Sequence, residues 1–262
     1  MVHPLDGCRE KVARAGDHLE TLDRESRRFV EEQRYLFEME PDPDTGEQVV
    51  RIRSHRQPPL DAPPRLGVIV GDILHNLRSA LDHLIWQLAV IGTGPGERNQ
   101  FPIFDTPEQF EQKRKWYLKG VRAEHRALIE ECQPYKGGTI GRALTLIAHL
   151  NDIDKHRIVH SGITFGMTGP PSISFTNVRS AQITGRDITT LIDGAELYRI
   201  SAVDIVDPSK TVEVQSQVRY SIAFGDTESW SASRADLLAC RDTVSNIIER
   251  FRGEFVGQPV TP

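Results

Sequence analysis

The sequence predicts an α+β protein, with a mainly helical half followed by an antiparallel sheet and a C-terminal helix. Before residue 160, apolar side chains recur every three or four positions, as they do on one face of a helix. From residue 161, segments rich in β-branched and aromatic residues are separated by Gly, Pro and Asp. We expect residues 1–160 and 161–262 to pack together as one unit.

The first half is expected to contain five helices and one early hairpin. Alternation over residues 35–53, interrupted by the turn-forming segment PDPDTG, predicts the β-hairpin. A proline-rich connection, residues 56–64, follows the hairpin. The helical ranges are 6–34, 66–91, 107–119 with Thr106 as N-cap, 121–133 and 140–160.

The second half ends in its two clearest patterns. The segment TVEVQSQVRYSIAF (211–224) alternates apolar and polar residues, which predicts an antiparallel strand pair with one solvent-facing side. The last helix is predicted at about 233–252, with a serine N-cap and Gly253 at its end.

Composition favours a globular protein of the cytoplasm. The 262 residues carry a net charge of −5, which gives no overall attraction to nucleic acid. No apolar run approaches the roughly 18–20 residues of a membrane helix, and the N-terminus lacks the apolar region of a secretory signal. Without such a run, we expect no membrane partner. Three widely spaced cysteines match no metal or redox motif, so we expect reduced, buried thiols.

One helix has an unusual polar face. The segment GDILHNLRSALDHLIWQLA (71–89) is apolar on one side, and its other side contains neither Lys nor Glu, the residues that usually face water. Its polar residues are Asp72, His75, Asn76, Arg78, Ser79, Asp82, His83 and Gln87.

A second helix, 140–160, has a similar stripe within about 80° of its circumference. Its members are Arg142, Thr145, His149, Asp152, His156 and His160. We expect the two stripes to meet in a buried polar helix–helix seam. Its hydrogen bonds should be nearly complete, since an unpaired buried group costs roughly 1–3 kcal/mol.

The segment RSALDH (78–83) has the R-x4-H spacing of the HEPN ribonucleases, an all-helical family that it resembles. The resemblance implies that Arg78 binds the scissile phosphate of RNA. It also implies that His83 serves as acid or base while a ribose 2′-hydroxyl attacks, with no metal or other cofactor. Such sites are usually shared by two copies, which implies a homodimer. Asp82, His149 and His156 would support the site, whereas Ser79 stands where that family usually has Asn, Asp or His.

Two alternatives remain open. Asp72 and His75 have the i, i+3 spacing of helix-bundle metal sites, and His149, Asp152 and His156 share one helix face. These five residues would suit a divalent transition metal in a hydrolase. Alternatively, the polar residues only fix helix register, and the protein is a non-enzymatic binding or assembly module.

Four landmarks between residues 66 and 158 resemble a group of bacterial proteins that carry a domain of unknown function. They are NLRSALDH, QFPIF, QPY and LNDIDKHR. The resemblance implies no chemistry, although it points to the same two helices. A further segment, QKRKWYLKGVR (112–122), is basic with an adjacent aromatic pair, and it suits either a phosphate backbone or a solvated helix face.

Overall fold

The computed structural model describes residues 3–33, 36–53, 63–156, 161–164, 172–185, 194–207, 209, 213–217, 221–226 and 230–255. Within these residues the protein is α+β, as predicted, with six α-helices and nine β-strands. The proline-rich connection lies almost wholly outside the described residues. No helix in the described part is long and apolar enough to cross a bilayer.

The chain divides into two compact units that interleave along the sequence. The first comprises Met1–Arg24, Pro64–His160 and Phe224–Pro262, and the second comprises Glu25–Pro63 and Ser161–Ala223. This division differs from the expected one at residue 160. The hairpin belongs to the second unit because its second strand pairs with a strand from the later half of the chain, for example Val50 with Tyr198.

The helices lie close to their predicted positions. They are α1 (Asp6–Gln33), which begins in the first unit and ends in the second, α2 (Pro64–Val90), α3 (Pro107–Tyr117), α4 (Ala123–Glu131), α5 (Gly138–His156) and α6 (Arg234–Arg250). Short 3-10 turns follow α4 and α6, at Pro134–Lys136 and Arg252–Phe255.

Both predicted N-caps are present. The hydroxyl of Thr106 accepts a hydrogen bond from the Gln109 N–H, and Ser233 forms a reciprocal capping box with Asp236. At the other end of α6 the cap is Phe251 and not Gly253, because the chain continues into the 3-10 turn.

The second unit contains the predicted hairpin within an antiparallel sheet. Its strands are β1 (Leu36–Pro41), β2 (Gln48–Arg53), β5 (Val178–Gly185) and β6 (Glu196–Ile205), in the order β1-β2-β6-β5. The turn between β1 and β2 closes through the Gly46 N–H, which donates to the Asp42 carbonyl at 2.8 Å, and Gly46 has a φ of 70°.

The remaining strands form two smaller sheets. These are β3-β8-β9, made of Ser161–Thr164, Ser221–Asp226 and Trp230–Ala232, and β4-β7, made of Ser172–Thr176 and Glu213–Gln217. The prediction that residues 211–224 form one strand pair is therefore wrong, because β7 and β8 pair with different strands. Alternation shows which side chains share a face and does not identify the partner strand.

The core of the first unit is built around α2, which contacts α5 and α6. Every buried residue of α2 is apolar or glycine: Leu66, Gly67, Ile69, Val70, Gly71, Ile73, Leu74, Leu77, Ala80, Leu81, Leu84, Ile85, Leu88 and Ala89. The predicted apolar side of the helix is therefore its buried side.

The turns that follow α2 and α3 approach each other closely through their backbones. Thr93 N–H donates to the Gly120 carbonyl at 3.0 Å. A Cβ on Gly92 would overlap the Gly120 carbonyl oxygen, and Gly120 has a φ of 82°. Only glycine fits both requirements at this crossing.

Candidate functional site

The polar stripe of α2 lies at the surface. Asp72, His75 and His83 are exposed, whereas Arg78 and Asp82 are half-buried. On α5, Arg142 and Asp152 are exposed and His149 is half-buried. The two helices do contact each other. The expectation of a buried polar seam is nevertheless wrong, since α2 buries only its apolar side.

Two polar side chains of the stripes hydrogen-bond to a carbonyl of their own helix. Asn76 donates from Nδ2 to the Asp72 carbonyl at 2.8 Å, and the Thr145 hydroxyl donates to the Gly141 carbonyl at 3.0 Å. Bonds of this kind, from a side chain to the carbonyl four residues earlier, need no neighbouring helix. They explain how Asn and Thr occupy mid-helix positions without a polar seam.

Arg78 and Asp82 hold the loop between α2 and α3, here called the Phe101 loop (residues 96–106). The Nη2 atom of Arg78 donates to the Phe101 carbonyl at 2.7 Å and lies 3.0 Å from the Asp82 carboxylate. The same carboxylate oxygen accepts from the Phe101 N–H at 2.8 Å. Two predicted site residues therefore bind both backbone groups of one buried loop residue.

Gln133 holds the same loop from the end of α4. Its buried side chain donates from Nε2 to the carbonyls of Pro102 and Ile129 at 2.9 and 3.1 Å. Its Oε1 accepts from the Phe104 N–H at 3.1 Å. The landmarks NLRSALDH, QFPIF and QPY are thus parts of one hydrogen-bond network. Sequence reasoning missed Gln133, and its only signal was its place in a landmark.

Burial raises the pKa of the Asp82 carboxyl, and the Arg78 guanidinium and the Phe101 N–H act in the opposite direction. The net direction is upward, so this carboxyl holds its proton to a higher pH than an exposed aspartate does. Because the same carboxylate oxygen already binds the Arg78 guanidinium and the Phe101 N–H, Asp82 fits a role in holding the loop better than a role in proton transfer.

Arg78 and His83 do not converge within one copy of the helix. Residues five positions apart project about 140° from each other on an α-helix. Arg78 is directed to the Phe101 loop, whereas His83 is exposed and lies beside the first turn of α1. A Cβ placed on Gly7 would stand 3.9 Å from the His83 Nδ1 atom. One phosphate held by both side chains would therefore need a second copy of α2.

The residues of the metal alternative are divided between two helices. Asp72 and His75 are exposed on α2, whereas Asp152 is exposed and His149 half-buried on α5. The backbone of His156 lies in α5, but its side chain falls outside the described part, as does the whole of His160. Among the residues that are described, no three His, Cys, Asp or Glu side chains are grouped so that they could hold a metal ion.

A buried histidine of α4 was not singled out from the sequence. His125 is fully buried, its Nε2 lies 3.0 Å from a Glu254 carboxylate oxygen, and its ring meets the Phe251 ring edge-on at 5.8 Å. The segment AEHRALIEE has an ordinary amphipathic pattern, so nothing in the sequence distinguishes this residue. The contact joins α4 to the 3-10 turn after α6.

Comparisons with protein-family models, with curated proteins and with solved structures found no match to this chain. The relation to HEPN ribonucleases therefore stays a prediction from the R-x4-H spacing, and the relation to the bacterial group stays a prediction from the four landmarks.

Proposed function

We propose that this chain binds RNA and cleaves it without a metal, on the exposed face of α2. The observation that carries the proposal is a row of solvent-exposed side chains at helical spacing, Val68, Asp72, His75, His83 and Trp86. This row places two imidazoles between two large apolar side chains. Val68 is 52% exposed and Trp86 is 49% exposed.

The imidazole of His83 suits proton transfer to and from RNA. Imidazole can act as either general acid or general base, and the ring of His83 is exposed. In the proposed reaction the ribose 2′-oxygen bonds to the adjacent phosphorus while the bond from phosphorus to the 5′-oxygen breaks. A base takes the proton of the 2′-hydroxyl, and an acid gives one to the leaving oxygen.

Arg78 has a double role in this proposal. Its Nη2 is committed to the Phe101 loop, whereas its Nε and Nη1 atoms make no hydrogen bond within the described residues. Those donors remain for a phosphate. Asp82 becomes a positioning residue, since it holds Arg78 and the loop. His149 and His156 on α5 remain candidates for the second proton-transfer group.

In this proposal the protein is a homodimer, and the α2 helices of its two copies cross each other in antiparallel orientation. Val68 lies nine residues before position 77, and Trp86 lies nine residues after it. Asp72 lies five residues before the same position, and His83 lies six residues after it. An antiparallel crossing would therefore set apolar against apolar side chains, and the Asp72 carboxylate against the His83 imidazole. This self-complementarity favours a two-fold interface.

The direct test is cleavage of an end-labelled RNA pool by wild type and by His83→Ala, with and without EDTA. Cleavage should survive EDTA and fall by about 100-fold or more in the variant. The products should carry cyclic 2′,3′-phosphate ends. His18→Ala, on α1, is the matched control and should cleave like wild type. Cleavage that is abolished by EDTA would instead support the metal alternative.

Light scattering after gel filtration tests the dimer. Wild type should have twice the mass of one chain, and Val68→Glu should dissociate it, because a charge would replace an apolar contact. A monomeric wild type would contradict the shared site.

A non-enzymatic binding or assembly protein is the second candidate. It is favoured by the contacts of Arg78 and Asp82 with Phe101, which give both residues a structural task. Absence of cleavage under every condition, with an intact fold, would select it.

A further inference from the structure

We propose that a pocket at the end of α3 binds one unstacked base and the adjoining phosphate of single-stranded RNA. The pocket is lined by residues 97–100, Lys113, Trp116 and Tyr117, and its volume is about 390 Å³. It is called the Trp116 pocket below. The inference rests on RNA as the substrate, and it adds where and in what form the strand is held.

The pocket presents an aromatic surface together with positive charge. Trp116 is 39% exposed in the last turn of α3. The ammonium groups of Lys115 and Lys113 lie 4.3 and 5.7 Å from the centre of its ring. Exposed aromatic rings bind the flat faces of bases, and neighbouring lysines attract the phosphates between them.

The cations around this ring are not neutralised. Arg98, Lys113, Lys115 and Lys119 form no ion pair with any described residue, whereas the adjacent Arg114 is paired with Glu111 at 2.8 Å. Glu97 is the one acidic residue in the lining. Because the whole chain has a net charge of −5, a polyanion would be drawn to such a local basic region and repelled elsewhere.

Hydrogen bonds fix the walls of the pocket. Asn99 donates from Nδ2 to the carbonyls of Tyr117 and Lys119 at 3.1 and 2.9 Å, and the Gln100 N–H donates to the Tyr117 carbonyl at 3.3 Å. The ring of Tyr117 stacks on Phe104 at 5.7 Å. A site that is already formed loses less conformational entropy when its ligand binds.

The same loop connects the pocket to the proposed cleavage face. Gln100 precedes Phe101, whose backbone is held by Arg78 and Asp82, and His83 follows Asp82 in α2. A strand held at Trp116 would therefore be bound to the same unit as His83. The pocket would supply affinity, and α2 would supply chemistry.

The geometry favours a single strand over a duplex. Stacking on Trp116 requires a base whose face is free, and in a duplex both faces of each base are covered by neighbours. The volume falls within the range of small-molecule sites, roughly 300–1,000 Å³, which matches one nucleotide and is too small for a duplex.

Binding is best tested with a fluorescein-labelled 2′-O-methyl RNA decamer, since the methyl group removes the attacking hydroxyl and prevents cleavage. Anisotropy should show binding that weakens about tenfold in Trp116→Ala and much less in Trp116→Phe, which keeps a ring for stacking. Lys113→Ala with Lys115→Ala should also reduce the dependence of affinity on salt. Lys136→Ala removes a lysine that is paired with Glu130, and it should bind as wild type does.

The outcomes separate this inference from the proposed cleavage. His83→Ala should bind the decamer as tightly as wild type. Binding that depends on Trp116 supports the pocket even if wild type cleaves no RNA. Unchanged binding in Trp116→Ala would overturn the inference even if wild type cleaves RNA. Equal affinity for the 2′-O-methyl duplex or for anionic phospholipid vesicles would also overturn it.

Discussion

The carboxylate of Asp82 accepts a hydrogen bond from the backbone N–H of Phe101 at 2.8 Å, across the start of the loop between α2 and α3. Arg78 completes the contact through the carbonyl of the same residue. The part of the sequence that suggested a catalytic motif therefore also holds a loop in place. Substitutions of these residues must be measured for stability and for activity separately.

Asp82→Ala should lower the free energy of unfolding by about 1–3 kcal/mol, because it leaves the Phe101 N–H without its acceptor and removes the carboxylate beside the Arg78 guanidinium. Urea denaturation measures the change. Glu131→Ala removes an exposed carboxylate from the end of α4 and should stay within about 0.5 kcal/mol of wild type. Equal effects of the two substitutions would mean that Asp82 does not stabilise the loop.

Gln133→Ala should lower the free energy of unfolding by about 1–3 kcal/mol, since it removes the hydrogen-bond partner of the Pro102 carbonyl and of the Phe104 N–H. Gln133→Met keeps most of the side-chain volume and so separates the lost hydrogen bonds from a cavity. The exposed Gln109 provides the control, as Gln109→Ala should be nearly neutral. If Gln133→Met is as stable as wild type, the hydrogen bonds are not what holds the loop.

Arg199 should make the second unit sensitive to acid. Its hydrogen bond lowers the pKa of Asp42, and hydrogen bonds from Ser201 and then Arg199 lower the pKa of Glu47. A carboxylate whose pKa is lower in the folded protein than in the unfolded chain stabilises the fold at pH values above its ordinary pKa. That stabilisation is lost as the pH falls through the pKa of the folded state. Arg199→Ala should therefore flatten the fall of Tm below about pH 4.5.

Circular dichroism at a series of pH values measures this effect. Arg179→Ala removes an exposed arginine from β5 and should leave the acid limb of the curve unchanged. An acid limb in Arg199→Ala that is as steep as in wild type would mean that other carboxylates cause the loss.

All three thiols should be unreactive in the folded protein. Cys8, Cys132 and Cys240 are buried, as the sequence led us to expect, and form no disulfide. Burial raises the pKa of Cys8 and Cys240 to about 12, and it raises that of Cys132 as well. Because the thiolate is the reactive form, Ellman's reagent at pH 8 should label them only after unfolding in guanidinium. Rapid labelling of the native protein would contradict this burial.

The sequence predicted helices well and strand partners poorly. Apolar spacing placed all six helices within a few residues, and the caps Thr106 and Ser233 were identified from residue type alone. A strand's alternation, in contrast, reports only its two faces. Pairing between Val50 and Tyr198 joins residues that are distant in the chain, and no local pattern records it.

The surroundings of the polar stripe on α2 could not be predicted from the sequence. Helical geometry correctly grouped His75 and His83 on one stripe of α2. It could not determine whether water or protein covers that stripe. Asn76 and Thr145 were expected to form hydrogen bonds across a seam. In the structure each donates instead to the carbonyl four residues earlier in its own helix.

The crossing of Gly92 and Gly120 limits how this chain can be redesigned. Since backbone meets backbone there, no change of a neighbouring side chain could make room for a Cβ. A library that diversifies the surroundings of Trp116 should therefore keep both glycines invariant and vary Arg98, Lys113 and Lys115, which form no ion pair with any described residue.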